Sequence, residues 1–111
     1  MFVKEIEASE LSQLLTDQAD MMLLDVRTPA EIAAGIIPGT EAMPLTVLPM
    51  RMNEIPKDKK VVIYCRTGAR SAQACMYMGQ QGFDNLYNLR GGIMSWARAG
   101  LSIESGQSLI S

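Results

Sequence analysis

Val61-Val62-Ile63-Tyr64 offers no charged or amide side chain to either side of an extended chain. Side chains of a strand point alternately to its two faces, so a run apolar at every position has to be covered on both. That requirement selects a sheet sandwiched between helices and puts this run near its centre. The run ends on Cys65, followed by Arg66-Thr67-Gly68-Ala69-Arg70, and residues 71–81 then read as a helix. Ligands bind at the carboxyl ends of strands in open α/β sheets. A helix that starts there presents unpartnered N–H groups that favour negative charge. The stretch therefore reads as an anion-binding cradle with a sulfur nucleophile at its base.

The remaining segments alternate strand and helix. Residues 2–6 read as a short strand. Ser9 can cap a helix to about residue 16, with Leu11, Leu14 and Leu15 on one face. Residues 21–26 form an apolar strand broken only by Asp25. Thr28-Pro29-Ala30-Glu31 has the form of a capping box with proline at the first helical position, and this helix stops near Gly35. Pro38-Gly39 marks a turn, residues 41–45 a brief strand, and Thr46 a cap for a helix over 47–55 with Pro49 in its first turn. In the helix at 71–81, Ala72, Cys75, Met76 and Gly79 fall at helical spacing and are expected to face the sheet. Residues 85–89 supply the last strand, Gly91-Gly92 turns into a helix at 93–99, and residues 101–111 read as a tail. Strands alternating with helices predict a parallel sheet covered on both faces.

A length of 111 residues fits one domain able to bury a core without disulfide staples. The formal net charge of −2 argues against broad nucleic-acid binding. No apolar run approaches the roughly 18 residues of a membrane span. The first residues lack the pattern of a secretory signal, so a cytoplasmic location and two free thiols are expected. The chain has no histidine. Cys-His and Ser-His-Asp catalysis and His-ligated metal sites are therefore excluded within it. Activation of Cys65 has to come from arginines, backbone dipoles or a carboxylate. Helix N-termini and nearby arginines lower a thiol's pKa from about 8.5. Arg66 and Arg70 supply local positive charge, and Gly68 relaxes the turn. Four residues separate Cys65 from Arg70, a ring suited to one extra sulfur atom; cysteine-loop phosphatases place five there and make a wider ring.

With these motifs in order, the chain resembles the rhodanese superfamily of sulfurtransferases in its small single-domain form, over about residues 6–104. Leu24-Asp25-Val26-Arg27-Thr28-Pro29-Ala30-Glu31 is similar to the family's first signature, continued by Gly35-Ile36-Ile37-Pro38-Gly39-Thr40. Cys65-Arg66-Thr67-Gly68-Ala69-Arg70-Ser71 is similar to its active-site loop. Gly82-Phe83-Asp84-Asn85-Leu86-Tyr87-Asn88-Leu89-Arg90-Gly91-Gly92-Ile93 with Trp96 is similar to its closing signature. The resemblance implies a three-layer α/β/α domain over residues 1–104, with a mainly parallel sheet of about five strands and a C-terminal tail at 105–111. It implies that the Cys65 thiolate attacks the outer sulfur of a small anionic donor such as thiosulfate. A Cys65 persulfide forms and passes its sulfur to cyanide or a thiol, in ping-pong fashion. Residues Arg66, Thr67, Gly68, Ala69 and Arg70 would bind the substrate, with neither metal nor organic cofactor. One departure stands out: Ile36 occupies a position where the family often has histidine, which bears on pocket access or substrate choice. Two other readings are a persulfide carrier or redox-sensing module serving an acceptor protein, and a cysteine-loop phosphatase or arsenate reductase.

Asp25, a carboxylate ending a buried strand, is expected to support the scaffold, with the active loop, Arg27 and Arg70 as its possible partners. Arg27 is expected in a surface or rim ion pair. Cys75 and Trp96 read as packing residues.

Overall fold

The structure, a computed structural model, describes residues 2–110. Five strands, β1 (Glu5–Ile6), β2 (Met21–Asp25), β3 (Thr40–Ala42), β4 (Lys60–Tyr64) and β5 (Leu86–Leu89), form one sheet in the order β1-β5-β4-β2-β3. Every neighbouring pair is parallel. The helices are α1 (Ala8–Thr16), α2 (Pro29–Ala34), α3 (Leu48–Arg51), α4 (Ala69–Gln80) and α5 (Gly92–Arg98). The mixed α/β class and the five-stranded parallel sheet are those expected.

The central run explains the layering. Val61 and Ile63 enter one core with Ala74, Cys75 and Met78 of α4 and with Leu48 of α3. Val62 and Tyr64 enter the other, with Leu11 of α1 and Ile93 and Trp96 of α5. All four side chains are fully buried. Cys65 continues the alternation and falls on the α4 side. One step of register would have put it against α1 and α5.

Several boundaries differ from expectation for identifiable reasons. Helix α1 begins at Ala8 after Glu7, which takes the capping position expected of Ser9 and pairs with Glu10 in a capping box, the Glu10 carboxylate accepting the Glu7 N–H at 3.1 Å; Ser9 lies inside the helix. The capping box of α2 forms as read, with Thr28 and Glu31 bonded to each other's backbone N–H. The helix expected over 47–55 is shorter: α3 is capped by Val47 and gives way to a 3-10 turn at Met52–Glu54. There the N–H groups of Val47 and Leu48 both turn back to the Pro44 carbonyl, leaving Thr46 outside the helix. The buried face of α4 is Ser71, Ala74, Cys75 and Met78. The spacing is as expected but the phase is one residue earlier, so that Met76 is exposed. Ser71, a polar residue, sets that phase because its hydroxyl has buried partners.

Residues beyond Gly100 return across α2. Ile36 and Glu104 exchange two backbone hydrogen bonds of 2.8 and 2.9 Å. Gly106 is packed so closely that a Cβ there would lie 2.0 Å from the Ile32 carbonyl oxygen. Among the described residues no helix is long and apolar enough to cross a membrane.

Candidate active site

Strand β4 ends at Tyr64, α4 starts at Ala69, and the loop between them bends around the sulfur of Cys65. The N–H groups of Gly68 and Ser71 lie 3.2 and 3.4 Å from Sγ, and the Ser71 hydroxyl lies at 3.3 Å. Gly68 makes this possible by taking the left-handed conformation (φ +103°), which a side chain disfavours. Its carbonyl accepts the Ala72 N–H at 3.1 Å and so starts α4.

A second helix holds the loop from the other side. The carbonyls of Cys65 and Arg66 accept from the N–H groups of Ile93 and Met94, at 2.9 and 3.1 Å. The outward-facing acceptors of the loop thus satisfy the unpartnered donors of α5, while loop donors face the sulfur. Only glycine fits at position 92 (φ +61°), because a Cβ would stand 2.4 Å from the Arg66 oxygen and 2.5 Å from the Cys65 oxygen.

Cys65 itself is buried, at 1% exposure. Burial raises a thiol's pKa, but hydrogen bonds from the Ser71 hydroxyl and the amides of Ser71 and Gly68 outweigh it. They hold Cys65 below the ordinary value of a free thiol. Cys75, 6% exposed in the same core, has no such donors among the described residues, and burial pushes its thiol up to about 12. The two buried thiols thus differ in the donors around them and not in depth. Cys75 packs in the core as expected, and Trp96 is anchored by its indole N–H on the Ser102 carbonyl at 2.8 Å.

The arginines divide. Arg66 is exposed and forms no ion pair among the described residues. Arg70 grips Glu31 of α2 through two hydrogen bonds of 2.8 and 2.9 Å. This clamp, reinforced by the Thr28 cap, pulls the Glu31 carboxyl down to about 2. Arg27 is not at the surface: it is 6% exposed, and its guanidinium holds the fully buried Asp25 carboxylate at 2.7–3.0 Å while donating to the Gly35 carbonyl at 2.6 Å. The expected rim pair is therefore a buried tie between the end of β2 and the end of α2. Asp25 takes the Arg27 alternative and forms no bond with Arg70 among the described residues. Thr67 on the loop and Ala69 at the first position of α4 are both exposed.

Beside Arg70 lies a cleft of about 330 Å³, walled by Val26, Pro29, Pro44, Leu45 and Thr46. Ile36 does not line it; Ile36 is buried and bonded to Glu104. Among the described residues no three His, Cys, Asp or Glu side chains gather as metal ligands.

Three side chains that shape the site stand inside the quoted signatures without a site role assigned to them there: Ser71, Asn88 and, as a partner of Arg70, Glu31. Asn88 donates to the Gly68 carbonyl at 3.2 Å and is 2% exposed. A lone amide inside the apolar strand β5 was its available signal. Glu31 was legible as a helix cap, and nothing local shows its reach to α4.

A parallel α/β sheet with a donor-ringed cysteine between a central strand and its helix defines a class of cysteine-loop transferases and phosphatases. Comparison with known proteins narrows it. The model of the rhodanese-like domain matches residues 7–99. A sulfurtransferase of Allochromatium vinosum is 58% identical over 101 residues, covering 91% of this chain and 94% of that protein. A thiosulfate sulfurtransferase of Pseudoalteromonas translucida is 34% identical over 99 residues, 89% of this chain and 93% of that one. A crystal structure of a rhodanese-like domain protein from Staphylococcus aureus superposes with a TM-score of 0.82 at 34% identity, covering 93% of this chain and all of that one. The chain belongs to the rhodanese-like domain family, and its sulfurtransferase relatives support a transferase activity of that class.

Proposed function

We propose that this protein moves a sulfane sulfur through a persulfide on Cys65. The observation that carries the reading is the ring of donors on Sγ: two amides and a hydroxyl within 3.4 Å, with no histidine in the chain. The thiolate attacks the outer sulfur of thiosulfate. The donor S–S bond breaks, sulfite departs with the bonding pair, and Cys65 keeps the second sulfur as a persulfide anion. Cyanide or a thiolate then attacks that outer sulfur, and the Cys65 thiolate is the leaving group. The sulfane sulfur passes from one nucleophile to the next at the same oxidation level, so neither step calls for an oxidant or reductant. The exposed Arg66 draws the anionic donor in, and the amides of residues 66–70 cradle the added sulfur. The acceptor approaches along the cleft beside Arg70.

The same geometry weakens the phosphatase reading. Besides the short loop, the guanidinium that would clamp a phosphoryl group is already held two-pronged by Glu31.

Intact-mass spectrometry after thiosulfate treatment tests the proposal. Wild type gains the mass of one sulfur atom, and Cys65→Ser gains none. An equal gain in both, or a gain mapped to Cys75, overturns it. In the loaded protein, slow release to cyanide with fast release to a protein thiol would assign the carrier role.

A further inference from the structure

Ser71 stands between two acceptors with one proton to give. Its Oγ lies 3.3 Å from the Cys65 sulfur and 2.5 Å from Oδ1 of Asn88. A serine hydroxyl donates a single hydrogen bond. The orientation of the Asn88 amide is fixed at its other end, where Nδ2 faces two acceptors, the Gly68 carbonyl at 3.2 Å and the Glu5 carboxylate at 3.3 Å. Its oxygen must therefore face Ser71. Both residues are buried, Ser71 completely and Asn88 at 2% exposure, so an acceptor that loses the proton has little solvent to replace it.

We infer that Asn88 is a positioning residue for Cys65 that acts through Ser71: the Ser71 proton points to Asn88 while the sulfur is a thiol or carries a second sulfur, and turns to Cys65 when the sulfur is a thiolate. This rests on the reading of Cys65 as the nucleophile. In the thiol, S–H donates to the Ser71 oxygen and Ser71 donates to Asn88, so every group is satisfied. Ionisation releases the thiol proton to solvent. The charged sulfur is then the stronger acceptor, and the Ser71 hydrogen rotates to it without any O–H bond breaking. Asn88 Oδ1 is left without that donor. On loading, the negative charge moves to the outer sulfur, Sγ becomes a weak acceptor, and the hydrogen returns to Asn88. The orphaned amide oxygen penalises the free thiolate relative to the loaded state, so the network favours uptake of sulfur without moving a heavy atom.

Other ionisable groups surround this chain of contacts. Arg66 and Arg70 lie on the loop and α4, Tyr64 at the end of β4, Asp25 and Arg27 at the end of β2, Glu31 on α2 and Cys75 on α4. Glu5 of β1 touches Asn88 directly and is paired with Arg90. A control therefore has to separate Glu5 from Cys65.

The test follows the side-chain carbonyl carbon of Asn88 by NMR in the isotope-labelled full chain across pH, with Cys65 ionisation tracked by alkylation rate. The Asn88 signal should move with the Cys65 midpoint and return when thiosulfate loads the sulfur. The movement should vanish in Cys65→Ser and in Ser71→Ala, and persist in Ser71→Thr, which keeps the hydroxyl. Ser71→Ala should also slow alkylation near neutral pH by about tenfold or more, the worth of a hydrogen bond to a charged group. A signal that stays flat through the Cys65 midpoint in wild type overturns the inference, whatever the variants do. So does one that moves equally in Cys65→Ser, which would report Glu5. Normal sulfur loading with a flat Asn88 signal defeats this inference alone. A chain that loads nothing at Cys65 defeats the transfer reading, and the thiol-to-thiolate arm still decides the switch.

Discussion

Removing Arg27 would leave Asp25, completely buried, without its cation. Breaking a buried pair from one side costs about 3–5 kcal/mol, because the surviving charge is stranded. Arg27→Ala should lose stability of that order in chemical denaturation. Arg27→Lys should fall between, since an ammonium cannot hold both carboxylate oxygens and the Gly35 carbonyl at once. A loss below about 1 kcal/mol for the alanine variant would mean the pair behaves like an exposed one. Sequence spacing placed these two residues correctly beside one another at a strand end. It set Arg27 at the surface or rim instead, because the depth of the pair comes from the end of α2 folding over it, where the Gly35 carbonyl accepts from Arg27. The two cysteines carry the same lesson. Each stands in a segment with apolar neighbours, and what separates them is which backbone N–H groups happen to converge on the sulfur.

Among the elements, α4 and α5 meet at the loop through their first turns, and Gly92 sets how closely. A methyl group at position 92 must displace the Cys65 and Arg66 carbonyls, which are backbone and have little room to yield. Gly92→Ala should lose about 1–3 kcal/mol through strain alone. Sulfur loading should fall more steeply than stability, because the hydrogen bonds to Ile93 and Met94 fix the loop's orientation toward the sulfur. Denaturation curves and mass-detected loading on the same preparation check this; native stability with full loading would contradict it. The Gly91-Gly92 turn was legible as a helix start, but its close approach to a loop 26 residues earlier was not. The one-residue phase error in α4 has a related origin. Hydrophobic spacing ranks Ser71 as an outward position, yet its partners, Cys65 and Asn88, give a hydroxyl reason to be inside.

For the molecule as a whole, Glu31 and Arg70 join α2 to α4 across 39 positions of sequence. The Arg70 hydrogen bonds, with help from Thr28, bring the Glu31 carboxyl from its ordinary 4.5 to about 2. A carboxyl depressed in the folded state binds a proton less readily than in the unfolded chain. Its contribution is therefore fully present above about 4.5 and is lost as pH falls through about 2. Both side chains are partly exposed, at 28% and 36%, so solvent screening limits the effect to at most about 1 kcal/mol. Glu31→Gln should be slightly less stable than wild type at neutral pH and should lose less on acidification through that window. Melting temperatures of both proteins across the range measure it; parallel profiles would show that the clamp adds nothing to stability. The parallel order of the sheet, with β4 between β2 and β5, brings the ends of three strands to this one edge.

Much of this protein is written in short-range patterns. Four apolar residues running into a cysteine required a central strand, the spacing of polar and apolar positions marked the helices, and the signatures around Cys65 pointed to one family. These are local, because periodicity and turn chemistry act over a few residues at a time. The environment of the sulfur was settled at longer range. Asn88 and Gly92 reach the loop from β5 and α5, Glu31 reaches Arg70 from α2, and the segment after Gly100 is held by its bridge to Ile36. Those partners are chosen by how the layers stack, and a hydrogen bond or a close approach between distant residues exists only once the sheet has brought them together.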